Sequence, residues 1–299
     1  MNKKHHAGRR SLATILLTLA ILAGPLMVAH AISDLHFKPG FNLYTPQQDV
    51  ALGANNAKQI EQQMPMLNDA ETLKYINALG KRLASFAPNN LPEYAWQFHV
   101  VNTNDINAFA LPGGYIFVNR GTIEAAEDEA QLAGVMAHEE GHVVMRHGTH
   151  MASEKGLVEA PLSILGGLLG STGSIVGTLT RAGLGFGINS MFLKNSRDIE
   201  AQADQVGTYI LYRAGYDPHA MAQFFQILQE KYPQQTIQFF SDHPNPGNRI
   251  KAVDAEIPLL GPPRKEIKDT PEFEKVKKYL KSLPPPAPKK SAGGGAGIG

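Results

Sequence analysis

The chain has 299 residues, of which 43% are hydrophobic and 18% charged, and its formal net charge is +1. That is enough apolar material for one good-sized core, and so small a charge excludes the basic field a nucleic-acid binder needs. No cysteine is present, which excludes disulfides, a thiolate metal site, a cysteine nucleophile and a lipid anchor on cysteine.

Residues 1–31 have the three parts of a secretory signal. Lys3, Lys4, Arg9 and Arg10 form a positive start, LATILLTLAILAGPLM supplies the apolar stretch, and Ala29-His30-Ala31 is a small-residue cleavage site. Two readings stay open here: cleavage before Ile32, or retention as an anchor, for which the apolar run is barely long enough. Both place the remainder outside the cytoplasm, periplasmic or otherwise exported. One domain over 32–283 is the simplest organisation, followed by a Pro/Gly-rich tail, 284–299, with nothing to bury.

Within the domain, helices are expected over 46–64 and 69–86, the second capped by Asn68 or Asp69 and carrying Leu73, Ile76, Leu79 and Leu83 at helical spacing. Strands are expected at Ala95–Asn102 and Tyr115–Asn119, with Pro112-Gly113-Gly114 turning the chain between them. A long helix follows over about 127–147, then further helices over 197–213, 218–231 (Asp217 cap, Pro218 first) and 271–283 (Thr270 cap, Pro271 first). Residues 161–180 are uncharged and rich in Gly, Leu, Ile and Ser. A membrane span there would put the ligands described next on opposite sides of a bilayer, so two readings of 156–193 stay open: an apolar lid over or beside the metal site, or a static, packed connection with no gating role.

The 127–147 helix contains AHEEGHVVMRH, Ala137–His147. With His138 at zero, His142 falls at about 40°, Glu139 at about 100° and Glu140 at about 200° around the helix. The two imidazoles share a face and can hold one Zn2+, and Glu139 is close enough to that face to act on water. Glu140 points toward Met136, Val143 and Val144, where a carboxylate needs a partner. Zinc held by two histidines takes a third protein ligand and keeps a position for water. Glu200 in SRDIEAQAD is that candidate, and Asp204, one turn on, can accept from a ligand histidine and orient it. Arg197 is expected to pair with Glu200, while His147 and His150 are read as packing groups or outer supports of the ligands.

NAFALPGGYIFVNRG (Asn107–Gly121), HEEGHVVMRH, SRDIEAQAD and HPNPGNRI (His243–Ile250) together resemble the family that contains HtpX, the CAAX prenyl proteases and their soluble periplasmic relatives. The resemblance implies an α+β, zincin-like metalloprotease domain, mostly helical, with a small β-sheet beside the HExxH helix. It implies a zinc endopeptidase with one Zn2+ per chain on His138, His142 and Glu200, and Glu139 as general base. The same resemblance places HPNPGNRI at the cleft, making His243 and Arg249 candidate oxyanion donors. It also sets Asn107, Ala108, Phe109 and Ala110 at the strand edge against which an extended substrate lies. Two departures are visible: relatives often carry an apolar residue at the position of Glu140, and the chain lacks the paired membrane spans of HtpX-like members. The expected partners are unfolded or misassembled polypeptides in envelope quality control, with outer-membrane assembly machinery and peripheral membrane contact as further expectations. The competing class is a chaperone or binding module in outer-membrane protein assembly that keeps the fold without the chemistry.

Overall fold

The computed structural model describes residues 37–159, 196–232, 237–243, 246–262 and 265–286. The expected signal, most of the 156–193 segment and the tail beyond 286 lie outside the described residues. The helices are α1 (Pro46–Gln63), α2 (Ala70–Ala84), α3 (Arg120–Ala125), α4 (Glu129–Val144), α5 (His147–Glu159), α6 (Arg197–Ala214), α7 (Ala220–Lys231), α8 (Gln238–Asp242), α9 (Pro246–Leu260) and α10 (Pro271–Ser282). The strands are β1 (Gln97–Val101), β2 (Ala108–Leu111) and β3 (Tyr115–Asn119), in the order β1-β3-β2. β1 runs parallel to β3, and β2 antiparallel to it. The architecture is therefore α+β, mostly helical with one small mixed sheet, as expected. Among the described residues no helix is long and apolar enough to cross a membrane.

Alternation along the strands divides the core in two. Phe98, Val100, Ala108, Ile116 and Val118 face the main helical core, shared with Ile76 and Leu83 of α2 and Leu132 and Met136 of α4. Val101, Phe109, Leu111, Tyr115 and Phe117 face Ala57 and Ile60 of α1. On that second face His99, Phe117 and Phe109 stack across the three strands at centroid spacings of 4.7 and 5.0 Å.

Two helix starts carry the expected caps: Asp69 Oδ1 accepts from Thr72 N at 2.8 Å and Thr270 Oγ1 from Phe273 N at 3.2 Å. Ser196, for which no cap was expected, starts α6 in the same way, its Oγ accepting from Ile199 N at 3.3 Å. The expected start at 218 is corrected: Asp217 Oδ1 accepts from His219 N at 2.9 Å in a preceding turn, and α7 itself begins at Ala220. The expected single helix over 127–147 is also corrected. α4 ends at Val144, Arg146 takes a left-handed φ of 59°, and α5 starts at once with His147. The first residues of the 156–193 segment, 156–159, continue α5.

α4 and α6 pack closely enough for their side chains to share ligands. A Cβ on Gly141 would stand 2.8 Å from Ala203 O, and one on Gly207 would stand 3.1 Å from His138 N. Only glycine permits that approach without displacing a backbone. At the other end of α4, buried Glu129 accepts from Tyr75 Oη at 2.9 Å, Tyr216 Oη at 2.6 Å and Thr270 Oγ1, tying α4 to α2, to the turn after α6 and to the cap of α10. Arg120, also buried, donates to Leu280 O at 2.6 Å and Pro284 O at 2.9 Å. The C-terminal helix is thereby an integral part of the domain.

Candidate metal centre

α4 presents His138 and His142 on one face, as the four-residue spacing requires. Their Nε2 atoms lie 3.0 Å apart. Across the helix contact, Glu200 of α6 places Oε2 3.4 Å from His138 Nε2 and Oε1 3.4 Å from His142 Nε2. The turn after α8 adds His243, whose Nδ1 is 3.2 Å from His138 Nε2 and 3.1 Å from Glu200 Oε1. Four buried donors thus converge, with one ligand atom from each lying within 4.8 Å of all the others. Two imidazoles, a carboxylate and a third imidazole at this separation form a donor set of the kind that suits Zn2+.

Glu139 is 1% exposed, and its Oε1 has no hydrogen-bond partner, His243 Nε2 standing 3.4 Å away. Burial pushes its pKa up, partly countered by His243 and His138. A carboxylate beside a metal site, with an oxygen uncommitted to the protein, is equipped to take a proton from water. Glu140 differs in kind. It is fully buried, neither oxygen has a hydrogen-bond partner, and burial alone raises its pKa well above the usual carboxylate range. Burial thus opposes the charged form of Glu140, which has no partner of the sort that form would need.

The ligands are held from behind. His138 Nδ1 meets Asp204 Oδ1 at 3.0 Å. Arg249 of α9 grips the same carboxylate through Nε at 2.7 Å and Nη2 at 2.6 Å, and reaches Glu200 Oε2 through Nη1 at 3.0 Å. Its guanidinium lies 4.5 Å from the centroid of the Phe225 ring. Burial works against the ionised forms of Asp204 and Glu200. Arg249 outweighs it for Asp204 and the surrounding histidines for Glu200, so both carboxyls sit below the usual range. His138 is pulled down by burial and by Arg249, yet its bonds to Asp204 and Glu200 carry it up to about 9. A metal must displace that proton to bind. His142 meets His147 Nδ1 to Nδ1 at 2.9 Å, and His147 Nε2 lies 3.2 Å from Gln202 Oε1. Burial pulls His147 down to about 4, so it is neutral at ordinary pH.

His138, His142, Glu139, Glu200, Asp204, His243 and Arg249 are thus brought together, but two expectations need revision. Arg249, expected as an oxyanion donor, is 5% exposed and its nitrogens are committed to Asp204, Glu200 and His138. It stands behind the ligands and not at the mouth of a cleft. Within the expected substrate-binding stretch, Asn107 donates from Nδ2 to Asp242 Oδ2 at 2.9 Å, and its backbone bonds Thr122 and Asn119. Phe109 is packed on Phe117 against α1. These two residues build the strand and tie it to α8, while Ala108 is fully buried and Ala110 partly exposed.

Asn119 N donates to Asn107 O, so Asn107, Phe109 and Leu111 bond toward β3 and the peptide groups of Ala108 and Ala110 turn to the opposite edge. β2 has no second partner strand among the described residues, and it packs against α4. Arg197, expected beside Glu200, is exposed. His147 and Gln202 as a pair escaped the sequence reading, because their meeting depends on the break at Arg146.

The sequence model described as Peptidase family M48 matches residues 70–257. The chain is 32% identical over 209 residues to the beta-barrel assembly-enhancing protease of Escherichia coli (strain K12), covering 68% of this chain and 42% of that protein. It is 33% identical over 254 residues to the protein of the same name in Yersinia pestis, covering 80% and 51%. It is 30% identical over 189 residues to the mitochondrial metalloendopeptidase OMA1 of Schizosaccharomyces pombe, covering 62% and 53%. The chain spans about half the length of these relatives.

Proposed function

The chain belongs to peptidase family M48, and from that premise we propose that it is an exported zinc endopeptidase that hydrolyses misfolded or unassembled envelope proteins. The observation that carries this is Glu139 Oε1, a buried oxygen without a hydrogen-bond partner beside four convergent metal donors. A pure binding module has no use for such a base. The chaperone alternative is therefore not preferred.

His138, His142 and Glu200 would hold the ion. When bound there, Zn2+ supplies Lewis-acid chemistry, acidifying water and polarising a peptide carbonyl. Glu139 receives the proton of the attacking water at Oε1 and delivers it to the leaving amine. Its depressed tendency to ionise in the buried site brings its basicity closer to that of its task. Four protein donors would close a tetrahedral site and exclude water, so one of the four must stand off during turnover. His243 is assigned that part. It is carried on a turn after a five-residue helix and not on a long helix body. From there its Nε2, 3.4 Å from Glu139 Oε1, is available as a hydrogen-bond donor to developing charge.

An extended polypeptide would add to β2 on the edge away from β3, pairing with the peptide group of partly exposed Ala110, with Ala108, buried there, reached only if that edge opens. Recognition through backbone selects unfolded chain over particular side chains. The name beta-barrel assembly-enhancing protease, borne by two of the relatives, supports reading β-barrel assembly as the setting of the substrates. The domain is read as 32–283, and its signal as directing it to the periplasm or beyond. The test is metal analysis of the purified chain together with digestion of an unfolded protein. One Zn2+ per chain and chelator-sensitive digestion, abolished by Glu139→Gln, are expected. Digestion that survives removal of all metal would overturn the reading.

A further inference from the structure

The expected role of His147 was packing or support, and the structure allows a sharper assignment. In a continuous helix His147, five residues after His142, would point well away from it, at about 140° around the axis. The break at Arg146 changes that. Its left-handed φ of 59° is unfavourable for a non-glycine residue, and the conformation is held by Asp49, at 2.6 Å from Arg146 Nε, and by the Tyr44 carbonyl. The corner turns the start of α5 back so that His147, 2% exposed, brings Nδ1 to 2.9 Å from His142 Nδ1.

Two nitrogens at that distance need one proton between them. His142 turns Nε2 toward His138 and Glu200, so its lone pair is needed there and its proton belongs on Nδ1. His147 must then accept at Nδ1 and carry its own proton on Nε2, which faces Gln202 Oε1 at 3.2 Å. Gln202 lies on α6 between Glu200 and Asp204. A single helix thus supplies one ligand, the acceptor for His138 and the last member of the chain behind His142.

We propose that His147 and Gln202 are positioning residues that fix the Nδ1–H tautomer of His142 through a directed His142–His147–Gln202 hydrogen-bond chain, and so hold zinc. This rests on the reading of the cluster as a zinc site.

Full chain, unsubstituted and with His147→Leu, His147→Asn or Gln202→Leu, is loaded with Zn2+ and titrated with a competing chelator, and imidazole N–H signals are recorded by NMR. His147→Leu should weaken zinc binding about 10- to 100-fold and abolish the exchange-protected His142 Nδ1–H signal. His147→Asn, whose Oδ1 can accept close to where Nδ1 did, should restore both. Gln202→Leu should give a smaller loss, and it tests the chain even if His147→Leu fails to fold. Zinc binding unchanged in both leucine variants would overturn the proposal. So would equal losses in His147→Leu and His147→Asn, which would assign His147 to packing. An unsubstituted chain that takes up no zinc would overturn the functional reading itself, and this inference with it.

Discussion

Asp204 serves two partners with one carboxylate: Oδ1 meets His138 Nδ1 at 3.0 Å, while both oxygens take Arg249 at 2.6 and 2.7 Å. The guanidinium keeps Asp204 ionised in a site where burial opposes charge, and Asp204 in turn sets the proton of His138. Replacing Arg249 with Met leaves Asp204 and Glu200 buried without their counter-charge. Unfolding stability of the zinc-free protein should fall by about 3–5 kcal/mol, read from denaturant midpoints in the presence of chelator. A stability unchanged within error would return Arg249 to a role at the cleft mouth.

Glu200→Ala should remove stoichiometric zinc, and Asp204→Ala should weaken zinc binding about 10- to 100-fold without abolishing it, because it acts through His138. Chelator competition on the two variants measures the difference. Full zinc uptake by the Glu200 variant would move the third ligand to His243, whose Nδ1 is already 3.2 Å from His138 Nε2.

Glu139→Gln should abolish digestion of an unfolded substrate while zinc stays bound, whereas Glu140→Gln should keep most activity. The two residues are adjacent, yet His243 Nε2 approaches only Glu139, at 3.4 Å, while Glu140 has no polar partner. Equal activity losses with zinc retained in both would break the distinction.

His243→Ala should lower kcat more than zinc affinity, since three ligands remain. Zinc binding measured by chelator competition and kcat measured on a peptide separate the two effects. A collapse of zinc affinity to the level of Glu200→Ala would make His243 an obligatory ligand.

The pH dependence of stability should expose Glu140. Its folded pKa is raised by burial, so the protonated native form is fully favoured below the unfolded value of about 4.3. Above that value the unfolded chain ionises first, and native stability is lost as pH rises toward the folded pKa. Glu140→Gln removes this dependence. The variant should therefore gain on the unsubstituted protein by about 1.4 kcal/mol per pH unit over that window, and by nothing below it. Parallel stability curves for the two proteins between pH 4 and 8 would show that Glu140 is ionised in the native state.

Much of the site was legible because it rests on short-range periodicity. The four-residue spacing of His138 and His142 puts both on one face whatever the rest of the chain does, and the same rule turned Glu139 to that face and Glu140 away from it. Glu200 and Asp204, also four apart, could be assigned as a pair on one helix, and the caps at Asp69 and Thr270 are written in local hydrogen-bonding chemistry. Other features depend on partners far along the chain, where local periodicity carries no information. β2 is a strand because β3 pairs with it, and only that ladder decides that the peptide groups of Ala108 and Ala110, and not those of Asn107 and Phe109, turn away from β3. Arg249 turned out to be a clamp because Asp204 lies 45 residues before it and within 2.6 Å. The long helix ends early because Asp49, 97 residues away, holds Arg146 in a conformation its own sequence disfavours. That single corner brings His147 to His142, which no spacing in AHEEGHVVMRH announces.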